Sequence, residues 1–170
     1  MQEDLEVQVG PLLQGKGYKL AVAESCTGGL IGHRLTNVPG SSEYYLGSVT
    51  AYAYEAKVGL LGVSQATLNQ YGAVSRETVI EMARGIRNTF ASQLPLETIL
   101  GAAVSGIAGP GGGMPGKPVG LVWVGLSTPD GDWAWHFLWN GNRIQNKELS
   151  AQVTLQLLVD YLRENLPAEG

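Results

Sequence analysis

A three-layer α/β/α fold, with helices on both faces of a mixed sheet of about five strands, is the architecture this 170-residue sequence predicts. Three observations carry that expectation. Short apolar runs bounded by glycine and proline alternate with stretches whose apolar residues recur at helical spacing. Residues 98–105 are apolar nearly throughout, which places them in the middle of a sheet covered on both sides. Residues 119–127 and 133–139 flank Pro129-Asp130-Gly131-Asp132 and should pair as an antiparallel hairpin.

The elements follow in order. Leu5, Val9, Leu12 and Leu13 share one helical face, and Pro11 predicts a kink or a start near that position. Residues 19–24 read as a strand, and Thr27 can cap a helix that runs to Arg34 or Leu35. After the turn at Pro39-Gly40-Ser41-Ser42, residues 44–52 form a second strand rich in Tyr, Val and Thr. Short helices are expected over 55–61 and 65–70. Ser75 then caps a longer one with Val79, Met82, Ala83, Ile86 and Phe90 along one face. The last helix, about 143–165, should bury Leu149, Val153, Leu157 and Leu162. No repeat or long linker divides the chain, so residues 1–170 are expected to form a single domain.

Composition excludes several function classes. A net charge of −4 argues against a nucleic-acid module, which needs a cationic face. No segment approaches membrane-spanning length, and the acidic start lacks the basic-then-apolar pattern of a secretory signal. One cysteine forms no internal disulfide, which fits a reducing cytoplasm. His33, His136 and Cys26 have no metal-ligand spacing, so neither a metal nor a cofactor is expected.

Polar residues crowd into one junction, Ala23-Glu24-Ser25-Cys26-Thr27-Gly28-Gly29, between the first strand and the next helix. Open α/β sheets place ligands at such strand ends, where a helix start offers N–H groups. The plainer reading is that Glu24, Ser25 and Thr27 only cap the helix. Lys57 falls in the first turn of a helix, where the dipole disfavours a cation. If also desolvated, it loses its proton more readily and can serve as a base for a serine nucleophile; otherwise it is a solvated surface lysine. Tyr52 can donate a hydrogen bond nearby or simply pack, and Cys26 is either a rival nucleophile or a small buried residue. The glycine-rich loop 106–118 matches neither the P-loop nor the dinucleotide fingerprint and leads into a strand. It can bind through backbone N–H groups or be a structural excursion. Arg143, at the start of the last helix, can grip an anion.

Together these segments resemble the CinA C-terminal domain family, whose characterised members are nicotinamide mononucleotide deamidases (PncC-like). The matching pieces are Ala-Glu-Ser-Cys-Thr-Gly-Gly (23–29), Val-Pro-Gly-Ser-Ser (38–42), Ala-Tyr-Ala-Tyr-Glu-Ala-Lys (51–57) and Leu-Leu-Gly-Val (60–63). They continue with Tyr-Gly-Ala-Val-Ser (71–75), Ser-Gly-Ile-Ala-Gly-Pro-Gly-Gly-Gly (105–113), Lys-Pro-Val-Gly-Leu-Val (117–122) and Gly-Asn-Arg (141–143). They cover nearly the whole chain in the right order, and the chain looks like the family's stand-alone form.

The resemblance implies a metal-independent amidohydrolase that converts nicotinamide mononucleotide to nicotinic acid mononucleotide and ammonia, with no cofactor. The family's serine, tyrosine and lysine fall on Ser25, Tyr52 and Lys57, its substrate-contacting hydroxyl on Ser105, and its arginine on Arg143. Ser105 stands where threonine is usual, and Lys147 where a second arginine is expected. On this reading Ser25 attacks, Lys57 relays the proton, and Tyr52 orients Lys57 or protonates the leaving ammonia. N–H groups near Thr27, Gly28 and Gly29 stabilise the oxyanion, and Arg143 with the backbone at Gly106, Gly109 and Gly111 holds the phosphate. A homo-oligomer, dimer or higher, is expected; nucleic-acid and membrane partners are not. The alternative is a non-catalytic nucleotide-binding or regulatory protein on the same fold. The Ser25, Tyr52 and Lys57 trio favours the enzyme, because a binding module has no need of it.

Overall fold

The computed structural model describes residues 4–170, so residues 1–3 of the acidic start lie outside the described residues. The chain runs α1 (Leu5–Lys16), β1 (Lys19–Glu24), α2 (Leu30–Thr36), β2 (Tyr45–Thr50), α3 (Tyr54–Leu61), α4 (Gln65–Tyr71) and α5 (Arg76–Thr89). It continues with β3 (Ile99–Gly106), β4 (Leu121–Thr128), β5 (Gly131–Leu138) and α6 (Arg143–Leu162). The strands form one mixed sheet in the order β2-β1-β3-β4-β5. β1 lies parallel to both β2 and β3, and β4 pairs antiparallel with β3 and β5.

Each face of the sheet has its own core, which makes the three layers. On one side Leu20, Val22, Leu100, Ala102, Val104, Val124 and Leu126 meet α1, α2 and α6 through Val9, Leu13, Ile31, Leu155 and Leu158. On the other, Ala21, Ala23 and Ala103 meet α3, α4 and α5 through Leu61, Leu68, Val79, Met82 and Ile86. This second face is built of small residues, which lets α5 lie close. A Cβ on Gly101 would come within 2.3 Å of the Ala83 carbonyl oxygen, so only glycine fits there. Close packing brings the start of α5, and residues 73–75 before it, against the end of β3. Among the described residues no helix is long and apolar enough to cross a membrane.

Register then gathers the chemistry. Glu24, the last residue of β1, pairs with Thr50 on one side and Val104 on the other. β1 and β2 therefore end level, beside Val104 of β3, and Ser25 and Ala51-Tyr52 leave the sheet next to Ser105, which is still within β3.

Several expectations need correction. Pro11 neither starts nor ends α1, which runs through it; Pro11 is exposed, so its ring and missing N–H disturb only the solvent side. Thr27 does not cap α2, which begins at Leu30 behind Gly29. β2 stops at Thr50, leaving Tyr52 in the connection to α3. The hairpin is tighter than expected, with Thr128 facing Gly131 across the turn. Leu149 is 41% exposed, because the buried side of the first turns of α6 is taken by Asn146 and Ser150, whereas Leu157 and Leu162 are buried. Ser75 does cap α5, accepting from the Thr78 N–H at 3.2 Å.

Candidate active site

The junction after β1 turns on a glutamate. Glu24 is fully buried, and its carboxylate accepts from the Thr27 hydroxyl at 2.6 Å and from the N–H groups of Gly29, Ile31 and Gly32 at 3.1, 3.1 and 2.9 Å. It thereby satisfies the orphan donors at the start of α2, which a capping side chain would otherwise serve. Gly28 and Gly29 have φ of 62° and 100°, a left-handed pair that lets the chain fold back onto this carboxylate. The Gly28 N–H closes a turn onto the Ser25 carbonyl at 3.1 Å. The N–H groups of Gly28 and Gly29 are thus occupied and cannot serve as the expected oxyanion donors, and Thr27 spends its hydroxyl on Glu24.

Ser25 and Lys57 are brought together. Lys57 Nζ lies 2.9 Å from Ser25 Oγ, 2.8 Å from the Ala51 carbonyl and 3.1 Å from the Tyr52 carbonyl. The side chain is 1% exposed, and among the described residues no carboxylate forms an ion pair with it. Burial pushes its pKa down to about 8, opposed weakly by Cys26. The three partners suit both protonation states. A neutral amine donates to the two carbonyls and accepts from the Ser25 hydroxyl, and an ammonium donates to all three. Cys26 is also buried, but burial raises its thiol to about 12, which keeps it protonated and a poor nucleophile.

Tyr52 is placed differently from expectation. Its ring is 60% exposed, and its hydroxyl accepts from Arg143 Nη2 at 3.0 Å. It meets Lys57 only through its carbonyl. Arg143 also donates from Nη1 to the Gly109 carbonyl at 2.7 Å, so the guanidinium spans the gap between the β2–α3 connection and the glycine-rich loop. Ser105 is buried and donates to the Ala73 carbonyl at 2.7 Å. Gly106 belongs to β3 and pairs with Val122, and Gly111 is exposed. Lys147, one turn after Arg143, brings Nζ within 3.7 Å of where a Cβ on Gly28 would sit.

Two cavities adjoin at Arg143. The first, of about 150 Å³, is lined by Ser25, Cys26, Tyr52, Lys57, Ser105 and Arg143 among others. That size accepts a single six-membered ring. The second, of about 420 Å³, shares Ala108 and Arg143 and extends along Gly109, Pro110, Asn142 and Ile144. Thr27, Gly28, Gly29 and Gly111 line neither. Among the described residues no three His, Cys, Asp or Glu side chains converge as metal ligands would.

Sequence reasoning missed two residues here. Glu24 carried a signal, a carboxylate at a strand end before two glycines, but it was read as one cap among several. Asn146 carried none. Fully buried, it donates to the Ala108 carbonyl and accepts from the Gly141 N–H, both at 3.0 Å, and so ties the glycine-rich loop to the start of α6.

Residues 2–162 match the family model described as CinA C-terminal domain. A CinA-like protein of Desulfosudis oleivorans is 50% identical over 155 residues, covering 91% of this chain and 36% of that protein. A CinA-like protein of Desulfotalea psychrophila is 47% identical over 158 residues, 93% of this chain and 37% of its own length. The chain thus spans less than two fifths of these curated relatives. Among solved structures, a competence-damaged protein (CinA) superfamily protein from Klebsiella pneumoniae superposes with a TM-score of 0.86 at 30% identity, covering 94% of this chain and 96% of that one. A competence/damage inducible protein from Agrobacterium tumefaciens gives 0.79 at 33% identity, covering 96% and 98%.

The buried amine has a thermodynamic signature. Its folded pKa lies below its unfolded value, so the unfolded chain binds more protons between about pH 8 and 10.5, and stability gains from Lys57 as pH rises through that window. The gain amounts to about 3 kcal/mol. Cys26 and Tyr161, both raised by burial, pull the other way above their unfolded pKa values. The difference between wild type and Lys57→Met cancels Tyr161, and cancels Cys26 apart from its coupling to the amine. Urea unfolding across this range should show the wild type gaining on the variant; parallel curves would mean Lys57 is not desolvated.

Proposed function

We propose that this chain, which belongs to the CinA C-terminal domain family, hydrolyses the carboxamide of nicotinamide mononucleotide through Ser25 and Lys57. The products are nicotinic acid mononucleotide and ammonia. The observation that carries this reading is the 2.9 Å contact between the buried Lys57 amine and the Ser25 hydroxyl, beside a ring-sized cavity.

Neutral Lys57 accepts the Ser25 proton as Oγ bonds to the carboxamide carbon. The tetrahedral intermediate collapses by breaking the C–N bond, and the Lys57 ammonium returns its proton to the leaving nitrogen, which departs as ammonia. Water then attacks the acyl-serine, Lys57 again takes a proton, and Ser25 recovers it as the acid leaves. Tyr52 is not poised to deliver that proton, since its phenol sits on Arg143. Its carbonyl and that of Ala51 orient the amine. The ring occupies the smaller cavity, and ribose and phosphate extend into the larger one past Arg143, whose remaining N–H groups face no acceptor among the described residues.

Ammonia release from nicotinamide mononucleotide by the purified protein tests the reading. Ser25→Ala should abolish turnover with the fold intact, while Cys26→Ala keeps most of it; the reverse ranking would sink the Ser–Lys proposal. Arg143→Ala should weaken the mononucleotide roughly tenfold to hundredfold, as loss of a charge-assisted hydrogen bond does, and leave the dephosphorylated riboside nearly unaffected. Equal losses on both substrates would take Arg143 off the phosphate.

A further inference from the structure

We propose that the N–H groups of Cys26 and Thr27 form the oxyanion hole for Ser25, and that Glu24 is the positioning residue that keeps them free. This rests on the reading of Ser25 as nucleophile. Cys26 and Thr27 are the two central residues of the turn closed by the Gly28 N–H on the Ser25 carbonyl. Every neighbouring donor is taken. The Ser25 N–H bonds the Val104 carbonyl, Gly28 bonds Ser25, Leu30 bonds Thr27, and Gly29, Ile31 and Gly32 bond Glu24. Among the described residues, the Thr27 N–H of this segment has no acceptor and the Cys26 N–H none beyond its own thiol.

Their position gives that vacancy meaning. Cys26 lines the ring-sized cavity; Thr27 stands one residue behind it in the same turn and off the cavity wall, and is 1% exposed, so water does not satisfy its N–H freely. The residue after a nucleophile is where acyl-transfer sites recurrently draw an oxyanion donor. The short helix α2 is not itself the anion site, because Glu24 fills its N-terminal donors. By taking them, Glu24 fixes the distance between the turn and the helix, and with it where the two free N–H groups lie.

Glutamine is the discriminating replacement. Its amide has one acceptor oxygen, so in the better orientation the Gly32 N–H still faces an NH₂ group, and in the worse one three donors do. Thr27→Val removes the 2.6 Å hydroxyl contact while keeping the side-chain shape. Neither change touches Ser25, Lys57 or the cavity wall.

The test uses pyridine-3-boronic acid, whose boron becomes tetrahedral and anionic when Ser25 Oγ adds to it, and nicotinamide as the planar control. Boron NMR should show the adduct in wild type and not in Ser25→Ala. Removing one oxyanion donor costs about a hundredfold or more in turnover elsewhere, so displacing both should weaken the adduct tenfold or more in Glu24→Gln and Thr27→Val. Nicotinamide binding should stay within twofold, with cooperative melting retained. No adduct in wild type, unchanged adduct affinity in both variants, or equal loss of boronate and nicotinamide would each overturn the proposal. Ammonia release by wild type is measured alongside. Its absence with the boronate pattern intact would retire the substrate and keep the oxyanion site; its presence with unchanged boronate affinity would retire the oxyanion site alone.

Discussion

A lysine amine held out of water, with no carboxylate paired to it among the described residues, is the constraint on which the site depends. Burying an unpaired ammonium costs several kcal/mol, and the usual escape is to give up the proton. Lys57 takes that escape partway: with a pKa of about 8 it is mostly charged at neutral pH yet exchanges its proton readily. The two carbonyls at 2.8 and 3.1 Å keep the amine in place in either state, so losing the proton does not release it from Ser25. Stability given up at such a position is the ordinary cost of a functional site.

The sheet makes that arrangement possible. β1 and β2 end level at Glu24 and Thr50 beside Val104 of β3, which runs two residues further, so three parallel strands deliver their residues within reach of one point. After β1 comes the nucleophile, from the connection after β2 the carbonyls, from α3 the base, and from β3 the Ser105 hydroxyl that anchors Ala73. Small residues on the α5 side let the opposite wall close in. Asn146 then ties the glycine-rich loop to α6, which sets Arg143 over the cavity mouth.

Much of this was legible in the sequence, and the failures have physical reasons. Periodicity and turn residues gave the strands, the layers and the Ser75 cap, because those depend on local pattern and burial. Pro11 misled because its cost depends on whether its side of the helix faces solvent, which a sequence does not display. Leu149 misled because the side that α6 buries begins with polar residues, Asn146 and Ser150, which an apolar pattern does not pick out. At the site, Ser25 and Lys57 were legible as residue types and through the family resemblance, and 32 positions separate them in sequence, so only the register brings them into contact. Tyr52 was assigned to Lys57 through its phenol, whereas the backbone makes the contact, and backbone contacts leave no trace in residue identity. Glu24 looked like one cap among three, because how many donors meet a carboxylate is set by the path of the chain around it.

The central claim is that Lys57 acts as a base with a lowered pKa, and the pH dependence of amide hydrolysis reads it directly. Turnover of nicotinamide mononucleotide should rise with pH through one ionisation near 8 and then level, far below the usual 10.5 of a lysine. Lys57→Arg, which keeps the charge but does not surrender a proton, should be inactive across the whole range. A flat profile through pH 8, or substantial activity in the arginine variant, would make Lys57 an electrostatic anchor and contradict the account.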